Sequence, residues 1–150
     1  MFAAPPVIRA EVFATLPGAL RKRGERSAWM DVQQRGREAH SFIEGPVFDC
    51  DGHLLFTDIP FGRIFRADPD GRIELVHEYD GEPNGLKLLD AHRVLVADHK
   101  HGILLLDLRS GDMRPHCDRP LLERFRGVND LYLAPDGCLY FTDQGQSGLQ

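Results

Sequence analysis

An all-β fold of the β-propeller class is expected for this 150-residue chain, and three gapless copies of one pattern predict it. Each copy opens on an acid or amide and closes on an aspartate fourteen positions later: Glu44 to Asp58, Asn84 to Asp98, and Asn129 to Asp143. The openings lie 40 and then 45 residues apart, the period of one four-stranded propeller blade. Beyond residue 40, apolar residues nowhere recur at helical spacing over three turns.

The N-terminal segment, residues 1–40, differs from the rest. It carries seven Arg or Lys against four acids, while the remainder is acidic enough to bring the whole chain to −5. The run Arg21-Lys22-Arg23-Gly24-Glu25-Arg26 reads as a solvated loop, and no nucleic acid is expected as a partner given the acidic remainder. Val7 to Phe13 reads as a strand ahead of the first blade. A leading strand of this kind often completes the last blade of a propeller and latches the ring.

Residues 41–150 read as the first blades, truncated in the third. In each copy a short apolar run meets a turn and a second apolar run reaches the aspartate, as two antiparallel strands would. Asp51-Gly52 and Asp136-Gly137 supply turns, since such pairs tolerate the positive φ of tight hairpins. Ala91-His92 stands there in the middle copy, so that turn is longer or of another type. A small residue and a third apolar run follow each aspartate, at Gly62-Arg63-Ile64-Phe65, Gly102-Ile103-Leu104-Leu105 and Gly148-Leu149. Asp70-Gly71 and Ser110-Gly111 lead the first two copies into a fourth run.

A propeller closes with about four to eight blades, and this sequence supplies about two and a half. A six-bladed ring at roughly 40–45 residues per blade would need near 300 residues. The sequence therefore reads as the N-terminal half of a six-bladed propeller, with the remainder of the propeller or a second chain needed to close the ring. A complete small β-domain is the competing reading, and its open sheet edges would invite aggregation.

The chain is 42% hydrophobic and 27% charged. No run of 18 apolar residues exists, so no membrane partner is expected. The N-terminus has no charged region followed by a long apolar core, and no secretory signal is visible. Cys50, Cys117 and Cys138 are odd in number and show no paired spacing. Reduced thiols and a cytoplasmic location are expected.

The first strand of a propeller blade lines the central channel, so Glu44, Asn84 and Asn129 should converge at one mouth of it. One carboxylate and two amides present only oxygen donors. Calcium takes six to eight oxygens, whereas zinc prefers nitrogen and sulfur, so a divalent metal, calcium by preference, is the expected cofactor. Asn-Gly and Asn-Asp are also common turn formers that bond their own backbone. Glu44 before Gly-Pro is the stronger indicator, since a charge facing a channel needs a partner to offset its desolvation. The repeated Asp58, Asp98 and Asp143 read as blade-building residues that accept backbone N–H bonds around the turn after the second strand. Strand alternation would point Asp130 away from whatever Asn129 faces.

Phe42-Ile43-Glu44-Gly45-Pro46-Val47-Phe48, Asp51 to Pro60, Pro83-Asn84-Gly85-Leu86, and Gly127-Val128-Asn129-Asp130 with Pro135 to Asp143 resemble the gluconolactonase and senescence marker protein (regucalcin) family. More distantly, the chain is similar to the calcium-dependent organophosphate hydrolase diisopropyl fluorophosphatase. The resemblance implies a six-bladed propeller with one catalytic cation at the channel mouth. Glu44 matches the family's metal-binding glutamate, and Asn129 its third-blade asparagine, which touches metal in some members and substrate in others. Asn84 would line the substrate pocket. The resemblance further implies an asparagine on blade four and an aspartate on blade five, the latter a ligand and proposed base, lying beyond residue 150.

The function expected from this resemblance is metal-dependent opening of a sugar lactone such as an aldonolactone, with this chain carrying only part of the active site. Arg126, three residues before Asn129, is a candidate to hold a carboxylate or hydroxyl of the substrate, and also reads as a solvated loop residue. His99 is a weaker candidate, since a histidine at a strand end commonly bonds a loop carbonyl. The alternatives are a non-catalytic propeller that binds a protein or small ligand, and organophosphate or other ester hydrolysis at the same site.

Overall fold

The computed structural model describes residues 4–145. Among these residues, ten strands fall into three antiparallel sheets. The first sheet is β1 (Ile43–Phe48), β2 (Leu54–Asp58), β3 (Arg63–Ala67) and β4 (Ile73–Glu78), neighbours in sequence order. The second repeats that order with β5 (Pro83–Leu88), β6 (Arg93–Asp98), β7 (Gly102–Asp107) and β8 (Met113–Cys117). A third begins with β9 (Val128–Leu133) and β10 (Leu139–Asp143). These are two complete propeller blades and the first two strands of another; the expected third strand at Gly148-Leu149 lies outside the described residues.

The turns follow their chemistry. Asp49 and Ala134 each donate across their loop, to the His53 and Cys138 carbonyls at 2.9 Å, with Gly52 and Gly137 at positive φ. The middle blade uses Asp90 instead. Its carboxylate takes the N–H groups of His92 and Arg93, both at 2.9 Å, and so closes a turn that contains no glycine.

Period-two alternation sends successive residues of each strand to opposite sides of the blade. Leu55 and Ile64 of the first blade meet Leu86, Val94, Val96, Leu104 and Leu106 of the second in one core layer. The intervening Leu95, Ala97, Ile103 and Leu105 face the other way and meet Val128 and Leu131 of the third. Leu55, Ile64, Val96, Ile103 and Leu106 are fully buried, and each such aliphatic side chain contributes roughly 1.5–3 kcal/mol by leaving water. On the outer side of the first blade, Phe56, Phe65 and Ala67 pack under Leu16 of the N-terminal segment.

That segment departs from expectation in two ways. Residues 7–13 form no strand: a strand exists through its ladder, and these residues pair with none of the three sheets. Val7, Ile8 and Val12 stand exposed. A short helix, α1 (Ala28–Gln33), was not anticipated; the Ser27 hydroxyl caps it by accepting from the Met30 N–H at 3.3 Å. Its Trp29 and Met30 are buried against Ile59 and Phe42. The basic run is drawn into ion pairs, Lys22 with Glu25 and Glu78, and Arg26 with Asp31. No helix among the described residues is long and apolar enough to cross a membrane.

Candidate functional site

The first strands of the three blades lie side by side, β1 against β5 and β5 against β9. Where they begin, a cavity of about 170 Å³ is lined by Glu44, Asn84, Asn129 and Asp130, with Gly45 and Gly85 in its wall. Asn84 is buried, Asn129 half-buried and Glu44 exposed. Asn129 donates from Nδ2 to Asn84 Oδ1 at 3.2 Å, and Asn84 donates from Nδ2 to the Glu82 carbonyl at 3.4 Å. The three residues that open the sequence repeats are thereby brought to one place.

A bulge at each strand start produces this convergence. Glu44 pairs with Thr57 but Val47 with Leu55, so β1 advances three residues while β2 advances two. The same offset separates Pro83/Asp98 from Leu86/Val96 and Val128/Asp143 from Leu131/Phe141. An inserted residue of this kind bends a strand and re-aims its side chains. It also explains Asp130. Alternation in a regular strand would turn Asp130 away from the face of Asn129, but the irregular ladder leaves both on the cavity wall. The readable signal was positional: Asp130 stands where the first two blades carry Gly45 and Gly85.

Those glycines set the spacing of the blades. A Cβ on Gly45 would lie 2.0 Å from the Asn84 carbonyl oxygen, and one on Gly85 would lie 2.6 Å from Asp130 Oδ1. The backbone of each blade therefore closes on the glycine of the one before it. The buried Thr57 hydroxyl adds a bond to the same Asn84 carbonyl at 2.9 Å.

Each repeated aspartate accepts a backbone N–H from just ahead of the strand that carries the leading residue. Asp58 Oδ1 accepts from Phe42 N–H at 2.6 Å, Asp98 Oδ2 from Glu82 N–H at 2.8 Å, and both Asp143 oxygens from Arg126 N–H at 3.1 Å. Asp98 Oδ1 also takes the N–H groups of Lys100 and His101, at 2.8 and 2.7 Å, so in this blade the carboxylate closes the turn after the second strand as expected. Its Oδ2 accepts the Tyr79 hydroxyl at 2.7 Å. Burial, together with that carboxylate's charge, pushes the Tyr79 phenol well above 10. Burial likewise pushes the half-buried Glu82 carboxyl up, against the pull of nearby His99.

Neither Arg126 nor His99 lines the cavity. Arg126 is exposed, and its guanidinium has no ion-pair partner among the described residues. His99 donates its backbone N–H to the Glu82 carbonyl at 3.0 Å, and its ring packs over Gly127, with Cε1 2.6 Å from the position of a Cβ there.

The cavity offers carboxylate and amide oxygens, and neither histidine nor cysteine lines it. That donor set fits an oxygen-seeking cation such as calcium and fits zinc poorly. A separate group, Asp49, Asp51 and His53, brings its ligand atoms within 4.8 Å of one another. It lies at the opposite end of β1 from Glu44, in the hairpin turn. Asp49 there already accepts from the N–H groups of Asp51 and His53, at 2.9 and 2.8 Å, and its Oδ2 sits 3.0 Å from His53 Nδ1.

Comparison with known proteins gives a consistent picture. The family model described as the SMP-30/gluconolactonase/LRE-like region matches residues 42–150. A gluconolactonase of Zymomonas mobilis subsp. mobilis is 30% identical over 115 residues, which cover 67% of this chain and 32% of that protein. Among solved structures, a gluconolactonase of Xanthomonas campestris superposes with a TM-score of 0.62 at 24% identity, covering 69% of this chain and 35% of that one. Virginiamycin B lyase of Staphylococcus aureus superposes with a TM-score of 0.58 at 18% identity, covering 74% of this chain and 40% of the lyase. These structural likenesses speak to the fold. The matched part of the chain spans about a third of the length of these two gluconolactonases.

Proposed function

The chain belongs to the SMP-30/gluconolactonase/LRE-like family, and from that premise we propose that the protein hydrolyses a sugar lactone, such as an aldonolactone, at a divalent cation, with this chain supplying part of the site. The observation that carries the reading is the meeting of Glu44, Asn84 and Asn129, from three successive blades, on one oxygen-lined cavity.

Glu44 and Asn129 are the cation's ligands from this chain, one giving a charged carboxylate and the other an amide oxygen. Calcium is the preferred ion, because the donors are all hard oxygens. A cation held there would supply the Lewis acidity that a lactone carbonyl and an attacking water need. Asn84 and Asn129 border the space for the ring hydroxyls of the substrate. Arg126, three residues before Asn129 and exposed, is the residue proposed to hold a substrate carboxylate or hydroxyl. The aspartate that takes the proton from water, and the remaining ligands, belong to blades outside this chain.

The N-terminal segment, residues 1–40, keeps its role as a ring-closing element in this reading, the exposed Val7, Ile8 and Val12 being available to pair with a final blade. The test is lactone hydrolysis by the protein in the length its native source produces, after chelation and then re-addition of calcium, magnesium, manganese or zinc one at a time. Activity abolished by the chelator and restored best by calcium is expected. Activity that chelation leaves untouched overturns the proposal.

A further inference from the structure

The side chain of Asn84 has both ends of its amide engaged. Its Nδ2 donates to the Glu82 carbonyl at 3.4 Å, and its Oδ1 accepts from Asn129 Nδ2 at 3.2 Å. A backbone carbonyl can only accept, so Glu82 dictates which end of the Asn84 amide is NH2. That choice leaves Oδ1 towards Asn129, and an oxygen can only accept from the Asn129 NH2 group. The orientation of Asn129 is thus inherited through two hydrogen bonds from the backbone of Glu82. Glu82 is itself fixed, its N–H held by Asp98 Oδ2 at 2.8 Å and its carbonyl by the His99 N–H at 3.0 Å.

We propose that Asn84 is a positioning residue, whose pinned amide turns Asn129 so that the Asn129 Oδ1 oxygen, rather than its NH2 group, is presented to the cavity. An Asn side chain free to rotate would show either face, and the NH2 face repels a cation. Asn84 is only 6% exposed, which suits a residue that acts through its neighbour better than one that grips a substrate directly. This inference rests on the proposed reading only for the identity of what Asn129 faces; the amide orientation itself does not depend on it.

Two measurements separate the inference from that reading. The first is the side-chain amide signal of Asn129 in the wild-type protein, followed by 15N–1H NMR and needing neither cation nor substrate. Slow exchange of its NH2 protons, with a nuclear Overhauser contact to Asn84, is expected; exchange at the rate of a free amide, with no such contact, overturns the inference.

The second is a cycle of calcium affinities for Asn84→Ala, Asn129→Asp and the double variant, measured by calorimetry. Loss of a partner that orients a metal ligand typically weakens the site about tenfold or more, and Asn84→Ala should do so. The same change in the Asn129→Asp background should alter affinity less than about twofold, because a carboxylate presents oxygen whichever way it turns. An Asn84→Ala effect confined to KM, with calcium affinity unmoved, overturns the positioning role. An equal loss of calcium affinity in both backgrounds overturns it too. Wild-type protein that binds no calcium at all sinks the cation reading, and the NMR measurement alone then decides the orientation.

Discussion

Arg63 and Asp58 form an ion pair almost wholly out of water, their side chains 3% and 0% exposed, with Arg63 Nε 2.9 Å from Asp58 Oδ2. Asp58 Oδ1 holds the Phe42 N–H two residues before Glu44, and Arg63 Nη1 reaches the Leu20 carbonyl at 2.7 Å. One buried pair thereby ties together the N-terminal segment, the start of β1 and β3. Removal of either partner strands the other charge, which costs about 3–5 kcal/mol in such settings. Arg63→Met should lower stability to urea by that amount, and adding Asp58→Asn should recover part of the loss. A change below about 1 kcal/mol would show the pair to be dispensable.

Gly45 sits where the backbone of the second blade leaves no room for a side chain, at φ +56° and facing the Asn84 carbonyl oxygen. Gly45→Ala combines backbone strain with a clash against a rigid neighbour. A loss of more than about 2 kcal/mol is expected in thermal or denaturant unfolding. Gly52→Ala is the comparison, since no atom lies within 4 Å of a Cβ there; equal losses for the two would contradict the account of blade spacing.

Asp90 carries the turn between β5 and β6. The backbone N–H of His92 and the guanidinium of Arg93 stabilise its carboxylate, and its pKa falls from 3.8 to about 2. A carboxyl depressed by folding contributes stability that is present above its unfolded pKa and fades as pH falls towards the folded value. The contribution of Asp90 should therefore disappear between about pH 4 and pH 2. The 13C-carboxyl NMR titration should give a midpoint near the lower value, and Asp90→Asn should flatten acid unfolding over that window. A midpoint at the ordinary aspartate position would refute the turn-closing role.

Tyr79 behaves in the opposite sense. Its phenol is pushed well above 10 by burial and by the Asp98 carboxylate. Because the unfolded chain releases this proton first, stability is unaffected below about pH 10 and falls as pH rises beyond it. Absorbance titration at alkaline pH should show Tyr79 ionising only as the fold is lost, and Tyr79→Phe should abolish that late step. A smooth single titration of all three tyrosines in the folded protein would contradict the buried Tyr79–Asp98 bond.

Much of this was legible because each blade solves the same packing problem, so the same residues return at the same spacing. The alternation of Leu55, Leu95 and Val96 between two core layers follows directly from that repetition. The aspartates were legible as structural residues, but a carboxylate's partner is a matter of three dimensions, and each of them reaches back to the backbone just ahead of the first strand. Alternation puts Asp130 on the wrong side because it assumes a regular ladder, and a bulge breaks the ladder at the site. The helix α1 is too short for periodicity to reveal, being six residues held by one cap and a pair of buried side chains. A strand over residues 7–13 could not form here without a ladder partner. The amide chain from Glu82 through Asn84 to Asn129 has no sequence signature, because one of its two links goes to backbone and the other runs between blades.

The central claim is that Glu44 serves a cation-dependent lactonase site rather than the fold. Its most direct test is aldonolactone hydrolysis, with and without calcium, by wild-type protein and Glu44→Gln in the length the native source produces. Glu44 is exposed, so the substitution should leave thermal unfolding unchanged within about 0.5 kcal/mol. Calcium-dependent turnover should fall by about a hundredfold or more, as expected when a charged ligand of a catalytic ion is neutralised. Undiminished, calcium-dependent turnover by Glu44→Gln would contradict the assignment of the site.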